Sequence, residues 1–352
     1  ISFGASTRGS YVGAMGIKIE KDVPLAPYTT FRVGGPARFF TVVMGVGDLS
    51  EAIRFSKKEN LPVFLLGGGS NILIADSGFP GLVIKFNNTN YEIKGNKNHF
   101  LVVADAGIVW DDFVGDLVSK NIGGLENLSL IPGSVGGAGV QKIGAYGVEL
   151  GNFIESVKVF DVSESVEKVF HKSDCEFGYR NSIFKKNKNL IVLGAEFKLP
   201  KNQKPNIDYK DLKIAFAGKD NITPSEVREA VISIRSAKLP DYRVIGTAGS
   251  YFKNPVISDK KALDLQRDYP ELPIYPLQEE GIKISAAYLM DKALDLKGFH
   301  LGLVYTHPKQ ALVLCAESGA KTEDVLKLAK YIKRSIFEKT GIELEEEVEY
   351  IS

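Results

Sequence analysis

Apolar positions early in the chain alternate between short continuous runs and one stripe at helical spacing. The runs predict buried strands at 39–44, 63–66 and 82–86. After the first run, a narrow apolar face predicts a helix near 49–59, with Asp48 or Ser50 in position to cap its start. The residues of that face are Leu49, Ala52, Ile53 and Ser56. Alternating strand and helix over 17–87 indicates an α/β unit.

The pattern continues in residues 88–239, on both sides of a glycine-rich loop at 123–151. Continuous apolar runs predict strands at 101–107, 154–161 and 190–199. Helices are expected at 110–120 and 223–238. The second of these helices has Thr223 at its N-cap and an apolar stripe of Val227, Val231 and Ile234. The tripeptide LPD that follows, with its proline, predicts a linker.

Residues 240–341 form a third region with its own periodicity. Here the sequence predicts a helix near 285–294, strands at 301–305 and 311–315, and a long helix at 321–340 that ends at Gly341. The core stripe of the long helix is Val325, Leu328, Ala329, Ile332 and Ile336. The closing segment ELEEEVEY predicts a strand with Leu344, Val348 and Tyr350 on one face and glutamates on the other.

Composition narrows the function classes. The chain has 352 residues, 44% of them hydrophobic, and 44 basic side chains nearly cancel 43 acidic ones. This balance gives no global electrostatic reason to bind nucleic acid or an anionic membrane. No stretch approaches the roughly 20 apolar residues of a membrane span, and residues 1–15 predict a flexible tail rather than a signal peptide.

Cysteine and histidine usage excludes other classes of site. Cys175 and Cys315 are far apart and form no CxxC, so a reducing cytoplasm fits better than a disulfide framework. The four histidines are scattered, and no HExxH spacing occurs. We therefore expect no metal.

Two glycine-rich loops are the candidate chemistry. In GGGSN (67–71), glycines after a predicted strand can present backbone amides to an anion, although a tight turn between strands is about as good an explanation. Neither GxGxxG nor GxxxxGK[ST] occurs. The second loop, 123–147, is long, rich in small residues and poor in charge, which is unusual for a loop without function. Two such loops can clamp the diphosphate of a dinucleotide.

Seven ordered motifs resemble the UDP-N-acetylenolpyruvoylglucosamine reductase family and cover the chain from about residue 19 to the end. They are TTFRVGGPA (29–37), LGGGSN (66–71), IPGSVGGAGVQKIGAYG (131–147), GYRNSIF (178–184), AGSYFKNP (248–255), HPKQALVL (307–314) and LEEEVEY (344–350). The resemblance implies an α+β fold, in which a two-domain FAD-binding module of the vanillyl-alcohol-oxidase (PCMH) type precedes a third, substrate-binding α+β domain. Tyr209 and its flanking insert resemble the first type of the family.

On this resemblance, residues 1–16 are a flexible tail. Residues 17–87 and 88–239 are the two FAD-binding subdomains, with the strand at 342–352 returning to the first, and residues 240–341 bind substrate. The implied activity is NADPH-dependent reduction of UDP-N-acetylglucosamine enolpyruvate to UDP-N-acetylmuramate in peptidoglycan precursor synthesis. The implied enzyme is a cytoplasmic monomer with FAD as cofactor and no nucleic-acid or membrane partner.

The resemblance also implies the site residues. Arg180 holds the substrate carboxylate, Glu347 helps to polarise it, and Ser250 gives a proton to the enolate. Substrate contacts are assigned to Tyr179, Tyr209, Arg235, Lys238, Asn254, Tyr275 and Gln310. Cofactor contacts are assigned to Gly67, Gly68, Gly69, Ser70, Asn71, Ile131, Pro132, Gly133, Ser134, Gly136, Gly137, Gln141, Gly144, Ala145 and Tyr146.

Without the resemblance, these residues have ordinary explanations: a solvated arginine, a turn serine, a charged strand face, and a helix end at which Arg235 and Lys238 offset the dipole. Two positions depart from the family pattern. Lys142 replaces an asparagine, so it either raises the flavin potential or points outward. Glu346 replaces a proline, which affects how Glu347 is aimed.

Two other hypotheses compete with the reductase. The first is an FAD-dependent alcohol or sugar oxidase of the same fold. Many of those enzymes attach flavin covalently through a histidine near the first glycine loop, and no histidine occurs before His99. The second is a sugar-nucleotide binder without catalysis, against which the joint presence of Arg180, Ser250 and Glu347 argues.

Overall fold

The computed structural model describes residues 10–12, 16–178, 181–277 and 281–352. Its strands are β1 (Ser10–Val12), β2 (Lys18–Pro24), β3 (Pro36–Val43), β4 (Val63–Leu66), β5 (Ile72–Ile74), β6 (Phe79–Phe86), β7 (Tyr91–Gly95), β8 (His99–Asp105), β9 (Gly144–Ala145), β10 (Val148–Glu149), β11 (Ile154–Asp161), β12 (Val166–His171), β13 (Leu190–Pro200), β14 (Gly246–Ser250), β15 (Val256–Ile257), β16 (Ile274–Leu277), β17 (Gly281–Ile284), β18 (His300–Leu301), β19 (Val304–His307), β20 (Gln310–Ala316) and β21 (Glu349–Ile351). Its α-helices are α1 (Val46–Lys58), α2 (Trp110–Ser119), α3 (Val135–Gln141), α4 (Ile183–Lys186), α5 (Lys210–Ala215), α6 (Pro224–Lys238), α7 (Asp259–Asp268), α8 (Ala286–Tyr288) and α9 (Thr322–Thr340).

The chain divides into two compact units. The boundaries predicted from the sequence for two FAD-binding subdomains and a substrate-binding domain stay a prediction. The first unit comprises Ile1–Val23, Ala37–Gly68 and Pro80–Ala237; the second comprises Pro24–Pro36, Gly69–Phe79 and Lys238–Ser352. Within the part of the chain that the structure describes, no helix combines the length and apolar character needed to cross a bilayer.

The first unit contains two five-stranded sheets. One has the order β1-β2-β3-β6-β4, with β4 and β6 parallel, and helix α1 buries its apolar face in the same cluster as Leu82 and Ile84. The other, β12-β11-β13-β8-β7, is antiparallel and shares an aromatic core of Trp110, Phe113 and Phe197 with α2. Strand β13 of the second sheet contributes to two hydrophobic clusters, since Phe197 packs with α2 while Ile191 belongs to the cluster of α1.

The second unit is built around the antiparallel sheet β14-β20-β19-β18. Helix α9 and the smaller sheet β15-β17-β16 contribute to one hydrophobic cluster with it, in which Val304, Leu328 and Ile332 are fully buried. Strand β21 pairs in parallel with β5, Glu349 opposite Ile72. The C-terminal end of the chain is therefore fastened next to the residues that follow GGGSN.

Helices with a clear apolar stripe form where the periodicity predicts them. Helix α1 buries Leu49, Ala52, Ile53 and Ser56, and α9 buries its whole predicted stripe before ending at Gly341, whose φ is +65°. At the start of α6, Thr223 N donates to Glu226 Oε2 (2.9 Å) and Glu226 N donates to Thr223 Oγ1 (3.3 Å). This reciprocal pair is a capping box, so the predicted Thr223 cap is confirmed.

Two predicted secondary-structure elements, one helix and one strand, were predicted wrongly in type or extent. The helix expected at 285–294 is a single α-turn, Ala286–Tyr288, followed by a π-helical turn, Leu289–Ala293. The strand expected over the closing segment is only Glu349–Ile351. Its parallel pairing with β5 places Ile351 in the core and leaves Tyr350 49% exposed, because register in a sheet is set by the partner strand.

Candidate functional site

In the first unit, the two glycine-rich loops lie directly against each other. A Cβ atom on Gly68 would stand 2.5 Å from Gly133 Cα and 2.8 Å from Gly133 C. A Cβ atom on Gly67 would stand 3.0 Å from Ser134 Oγ. Because no side chain fits between these backbones, the approach requires glycine at residue 68. The structure thus brings together the two loops that the sequence predicted to act as one cradle.

Main-chain hydrogen bonds hold the second loop in place. Val135 N donates to Ile108 O (2.9 Å) and Gly136 N donates to Ala106 O (3.0 Å), which ties the loop to the β8–α2 connection. Ser134 caps α3 by accepting from Gly137 N at 3.3 Å. A Cβ atom on Gly136 would lie 2.7 Å from Ala106 Cβ, so this residue must also stay small. These contacts anchor the second loop to the rest of the first unit.

The remaining predicted cofactor residues occupy both ends of that loop. At its start, Ile131 packs against the core of the antiparallel sheet and Pro132 follows. After α3, the Gln141 side-chain carbonyl accepts from Lys185 Nζ at 2.9 Å. Gly144 and Ala145 then form β9, a short strand paired with β10.

The Lys142 side chain does not point outward, and its effect on the flavin potential stays a prediction. Lys142 ends α3 with a φ of +45°, and its side chain is only 15% exposed. Its Nζ lies 2.8 Å from Glu149 Oε2. Since the carboxylate neutralises the ammonium group within the loop, Lys142 brings no uncompensated charge to it.

Three predicted residues, Tyr146, Tyr209 and Arg235, come together in the first unit. The rings of Tyr146 and Tyr209 meet edge to face, with 5.1 Å between centroids. Burial raises the pKa of the Tyr146 hydroxyl, and burial also lowers the pKa of the Arg235 guanidinium. Arg235 Nε is buried and finds no hydrogen-bond partner among the described residues. A buried guanidinium nitrogen without a partner is costly, which favours an anionic ligand at this cluster.

In the second unit, the rest of GGGSN contacts other backbone. Gly69 has a φ of +63°, and a Cβ atom there would stand 2.1 Å from Tyr28 O. Asn71 Nδ2 donates to Glu347 O (2.9 Å), and Glu349 N donates to Asn71 O (3.0 Å). Ser70 between them is half-buried. Asn71, which the sequence assigned to the cofactor, therefore also fixes the backbone that carries Glu347.

A short antiparallel pairing of two segments places the backbone of Glu347 next to Tyr251, the residue that follows Ser250. Glu347 N donates to Tyr251 O (2.8 Å), and Lys253 N donates to Glu345 O (2.9 Å). Glu346 is paired with Phe252 between these bonds. Ser250 is exposed at the end of β14, where an irregularity in the pairing with β20 separates it from Thr247. Bulges of this kind re-aim side chains, and here the result is an accessible hydroxyl.

Glu346 has a partner of its own. Lys333 Nζ donates to both of its carboxylate oxygens, at 2.8 and 2.9 Å. This ion pair fastens the segment to α9, and burial together with the Glu346 charge raises the pKa of the neighbouring Tyr251. The departure from proline therefore does not release the backbone next to Glu347.

The other predicted substrate residues are more dispersed. Asn254 Oδ1 accepts from Ala286 N (3.0 Å), at the start of α8. Tyr275 is 50% exposed with Lys283 Nζ 5.5 Å from its ring centroid, and Gln310 is half-buried at the start of β20. Lys238 is exposed at the end of α6. Tyr179 and Arg180 lie outside the described residues.

Sequence reasoning did not find two residues beside the loops, Lys85 and Asn127. Lys85 is half-buried on β6, and its Nζ lies 3.4 Å from Gly67 O. Burial lowers the pKa of this lysine. In the sequence, Lys85 was marked only as a single charged residue within the apolar run LVIKF. Asn127 is completely buried in the second loop, and nothing in its local pattern distinguishes it from a turn residue.

The described residues contain no group of three or more His, Cys, Asp or Glu side chains that could hold a metal ion. The two glycine-rich loops offer a ligand mainly backbone groups and a few polar side chains. Such an arrangement suits an organic dinucleotide.

Comparisons with known proteins agree with this geometry. Residues 39–169 match the FAD binding domain family, and residues 240–351 match the family described as UDP-N-acetylenolpyruvoylglucosamine reductase, C-terminal domain. A UDP-N-acetylenolpyruvoylglucosamine reductase of Neisseria gonorrhoeae is 40% identical over 334 residues, which is 93% of this chain and 96% of the relative. One from Bacteroides fragilis is 37% identical over 336 residues, which is 95% of this chain and all of the relative.

Among solved structures, a UDP-N-acetylenolpyruvylglucosamine reductase from Thermus caldophilus aligns with a TM-score of 0.69 and 26% identity. The alignment covers 96% of this chain and 100% of that one. This similarity and the FAD binding domain match confirm the predicted fold class, an FAD-binding module followed by a further α+β domain.

Proposed function

The chain belongs to the family of UDP-N-acetylenolpyruvoylglucosamine reductases, and we propose that it performs the reaction of that family. It reduces the enolpyruvyl group of UDP-N-acetylglucosamine enolpyruvate to a lactyl ether, giving UDP-N-acetylmuramate for peptidoglycan synthesis. FAD is the cofactor and NADPH the reductant. The observation that carries the proposal is the glycine cradle at Gly68 and Gly133, inside the region that matches the FAD binding domain.

The cradle suits a dinucleotide because two glycine-bearing backbones meet there with no side chain between them. Backbone of this kind can turn main-chain N–H groups towards the diphosphate of a cofactor. Holding residues would be Gly67, Gly68, Gly69, Ser70, Asn71, Ile131, Pro132, Gly133, Ser134, Gly136, Gly137, Gln141, Gly144, Ala145 and Tyr146. Bound there, FAD would supply the hydride chemistry between NADPH and the β-carbon of the enol ether.

The chain itself must stabilise negative charge and supply a proton. Arg180 pairs with the substrate carboxylate through its planar fork, and Glu347 helps to polarise that carboxylate as charge develops on it. Ser250 transfers its hydroxyl proton to the α-carbon of the enolate. The exposed hydroxyl of Ser250 and the Tyr251–Glu347 hydrogen bond support these two roles.

Recognition of the sugar nucleotide is assigned to residues that offer cationic or hydrogen-bonding groups. Arg235, with its unpartnered buried Nε, is the best supported of them, and Tyr209 lies against Tyr146 in the same cluster. The others are Tyr179, Lys238, Asn254, Tyr275 and Gln310.

Several broader properties belong to the same proposal. We place the enzyme in the cytoplasm because its substrates are nucleotides and because Cys175 and Cys315 are both buried free thiols. We propose a monomer, and the near-zero net charge supports the absence of nucleic-acid or membrane partners.

Replacing Ser250 with alanine tests the chemistry. Under anaerobic conditions, S250A should still be bleached by NADPH, because flavin reduction does not use the hydroxyl. Turnover of the enolpyruvyl substrate should fall by about 10²- to 10⁴-fold, the usual contribution of a positioned proton donor.

Ser258→Ala is the matched control, since the Ser258 hydroxyl of the same unit only caps α7. It should retain wild-type turnover. A fully active S250A enzyme would remove Ser250 from its role. A wild-type protein that binds no flavin, or that consumes oxygen with simple alcohols instead, would contradict the proposed function.

A further inference from the structure

Asn127 has an unusual position in the second glycine-rich loop. It lies in the 3-10 turn Glu126–Leu128, and none of its surface is exposed. Its Nδ2 donates two hydrogen bonds, to Tyr146 O (2.9 Å) and to Asn206 O (2.8 Å). A primary amide has only two N–H donors, so both are used on backbone that is distant in sequence.

These two acceptors belong to segments with different proposed tasks. Tyr146 is on the loop assigned to the cofactor. Asn206 precedes Tyr209, which is assigned to the sugar nucleotide. The Asn206 side chain adds a second link by donating to Gly147 O (3.2 Å). Beyond these links, the Tyr146 and Tyr209 rings meet at 5.1 Å.

Asn127 is the single side chain of the turn that bridges the two segments in this way among the described residues. Ser129, equally buried, donates only to Glu126 O of its own turn (2.6 Å). Asn127 Oδ1, in contrast, is buried without a partner in the described part of the chain. A buried oxygen without a partner destabilises the fold, and an apolar residue of similar shape would avoid that cost. At residue 127, the two hydrogen bonds from Nδ2 offset it.

We infer that Asn127 is a positioning residue that couples the Tyr146 loop to the Tyr209 segment and thereby sets the affinity for the sugar nucleotide. This inference rests on the proposed function. Without the two hydrogen bonds, the Asn206–Tyr209 segment keeps its ring contact and the Asn206–Gly147 hydrogen bond, but it is held less firmly against the cofactor loop. Substrate binding must then order the segment, and the entropy of ordering weakens binding.

The first test does not depend on catalysis. Hydrogen–deuterium exchange of peptides covering 203–215 is compared in the holoenzyme and in its Asn127→Leu and Asn127→Ser variants. Leaving Asn206 O without its donor should speed exchange of these peptides in the leucine variant about 10- to 100-fold. The serine variant, with one donor, should lie between it and the wild type. Peptides of α2 and β13 should be unchanged, which shows that the unit remains folded.

Kinetics supply the second test. In N127L, KM for the enolpyruvyl sugar nucleotide should rise about tenfold while kcat changes by less than about threefold, since the reacting groups are untouched. Ser129→Ala, in the same turn, should change neither the exchange nor KM. In a Tyr209→Ala background, N127L should add less than about twofold to KM, because Asn127 acts on substrate binding by positioning Tyr209.

Unchanged exchange over 203–215 in N127L would overturn the inference, whatever the protein catalyses. Faster exchange with an unchanged KM would overturn the coupling. Wild-type protein without turnover would contradict the proposed function, and it is distinguishable because the exchange experiment needs no substrate.

Discussion

The contact between Gly68 and Gly133 gives the sharpest prediction. In Gly68→Ala the new methyl group would stand 2.5 Å from Gly133 Cα and 2.8 Å from Gly133 C, and both of these are backbone atoms. Ordinary carbon contacts are about 3.5–4.0 Å, so the loops must separate by about 1 Å. Overpacking of this kind costs about 1–3 kcal/mol. If the loops open only at the cradle, that cost appears as a loss of about 5- to 150-fold in FAD affinity.

Gly139→Ala is the matched control for this prediction. Gly139 lies in α3 of the same loop region, and a Cβ atom there would meet nothing within 4 Å. In a helix, alanine replaces glycine with a gain of up to about 1 kcal/mol. FAD titration of the apoprotein, followed by flavin fluorescence, measures both variants. Thermal unfolding of the apoproteins shows whether the Gly68 variant retains its fold.

The expected outcome is weak FAD binding in G68A and wild-type binding in G139A. Wild-type flavin affinity in a folded G68A protein would refute the reasoning, because the two loops would then not need to approach without side chains. Equal losses in both variants would also refute it, since only one of the two methyl groups meets the opposite loop.

Two further predictions follow from single charges. Lys85→Met removes the ammonium group near Gly67 O and should weaken FAD binding roughly three- to tenfold at unchanged stability. Lys94→Met, at an exposed lysine, is the control. Equal FAD affinities of the two variants would contradict a role of Lys85 in cofactor binding. Hydrogen bonds from Lys219 and then Thr223 lower the pKa of Glu226 from 4.5 to about 2. A depressed pKa stabilises the fold above pH 4.5, and the effect is lost as pH falls towards 2. The difference in Tm between wild type and E226Q, measured by circular dichroism, should therefore shrink across that window. A constant difference would show that the hydrogen bonds from Lys219 and Thr223 do not stabilise the Glu226 carboxylate.

The positions of helices, strands and glycine-rich loops were largely predictable from the sequence. Helices α1 and α9 carry apolar residues at a spacing that only a helix places on one face, and each begins and ends near the predicted residues. Strands 63–66 and 154–161 are found with the predicted bounds. The two small-residue loops were visible for the same reason, since glycine content is a property of the local sequence.

The closing segment shows where local patterns stop. Alternation along ELEEEVEY predicted one continuous strand with Leu344, Val348 and Tyr350 on its apolar face. Leu344 and Val348 are buried as predicted, but parallel pairing with β5 begins only at Glu349 and buries Ile351 instead of Tyr350. The backbone before it is instead used for contacts with Tyr251 and Lys253. Which partner a strand finds depends on distant chain, so no local periodicity contains it.

The sequence by itself therefore determined which segments become stripe-bearing helices, buried strands and glycine-rich turns, because those choices depend on residues a few positions apart. Only the tertiary structure decided that Gly68 meets Gly133, that Glu347 pairs with the residue after Ser250, that Lys85 lies next to Gly67, and that Asn127 links Tyr146 to Asn206. These contacts join residues far apart in the chain. They form because the sheets and helices pack in one way, and the glycines accept the approach that this packing imposes.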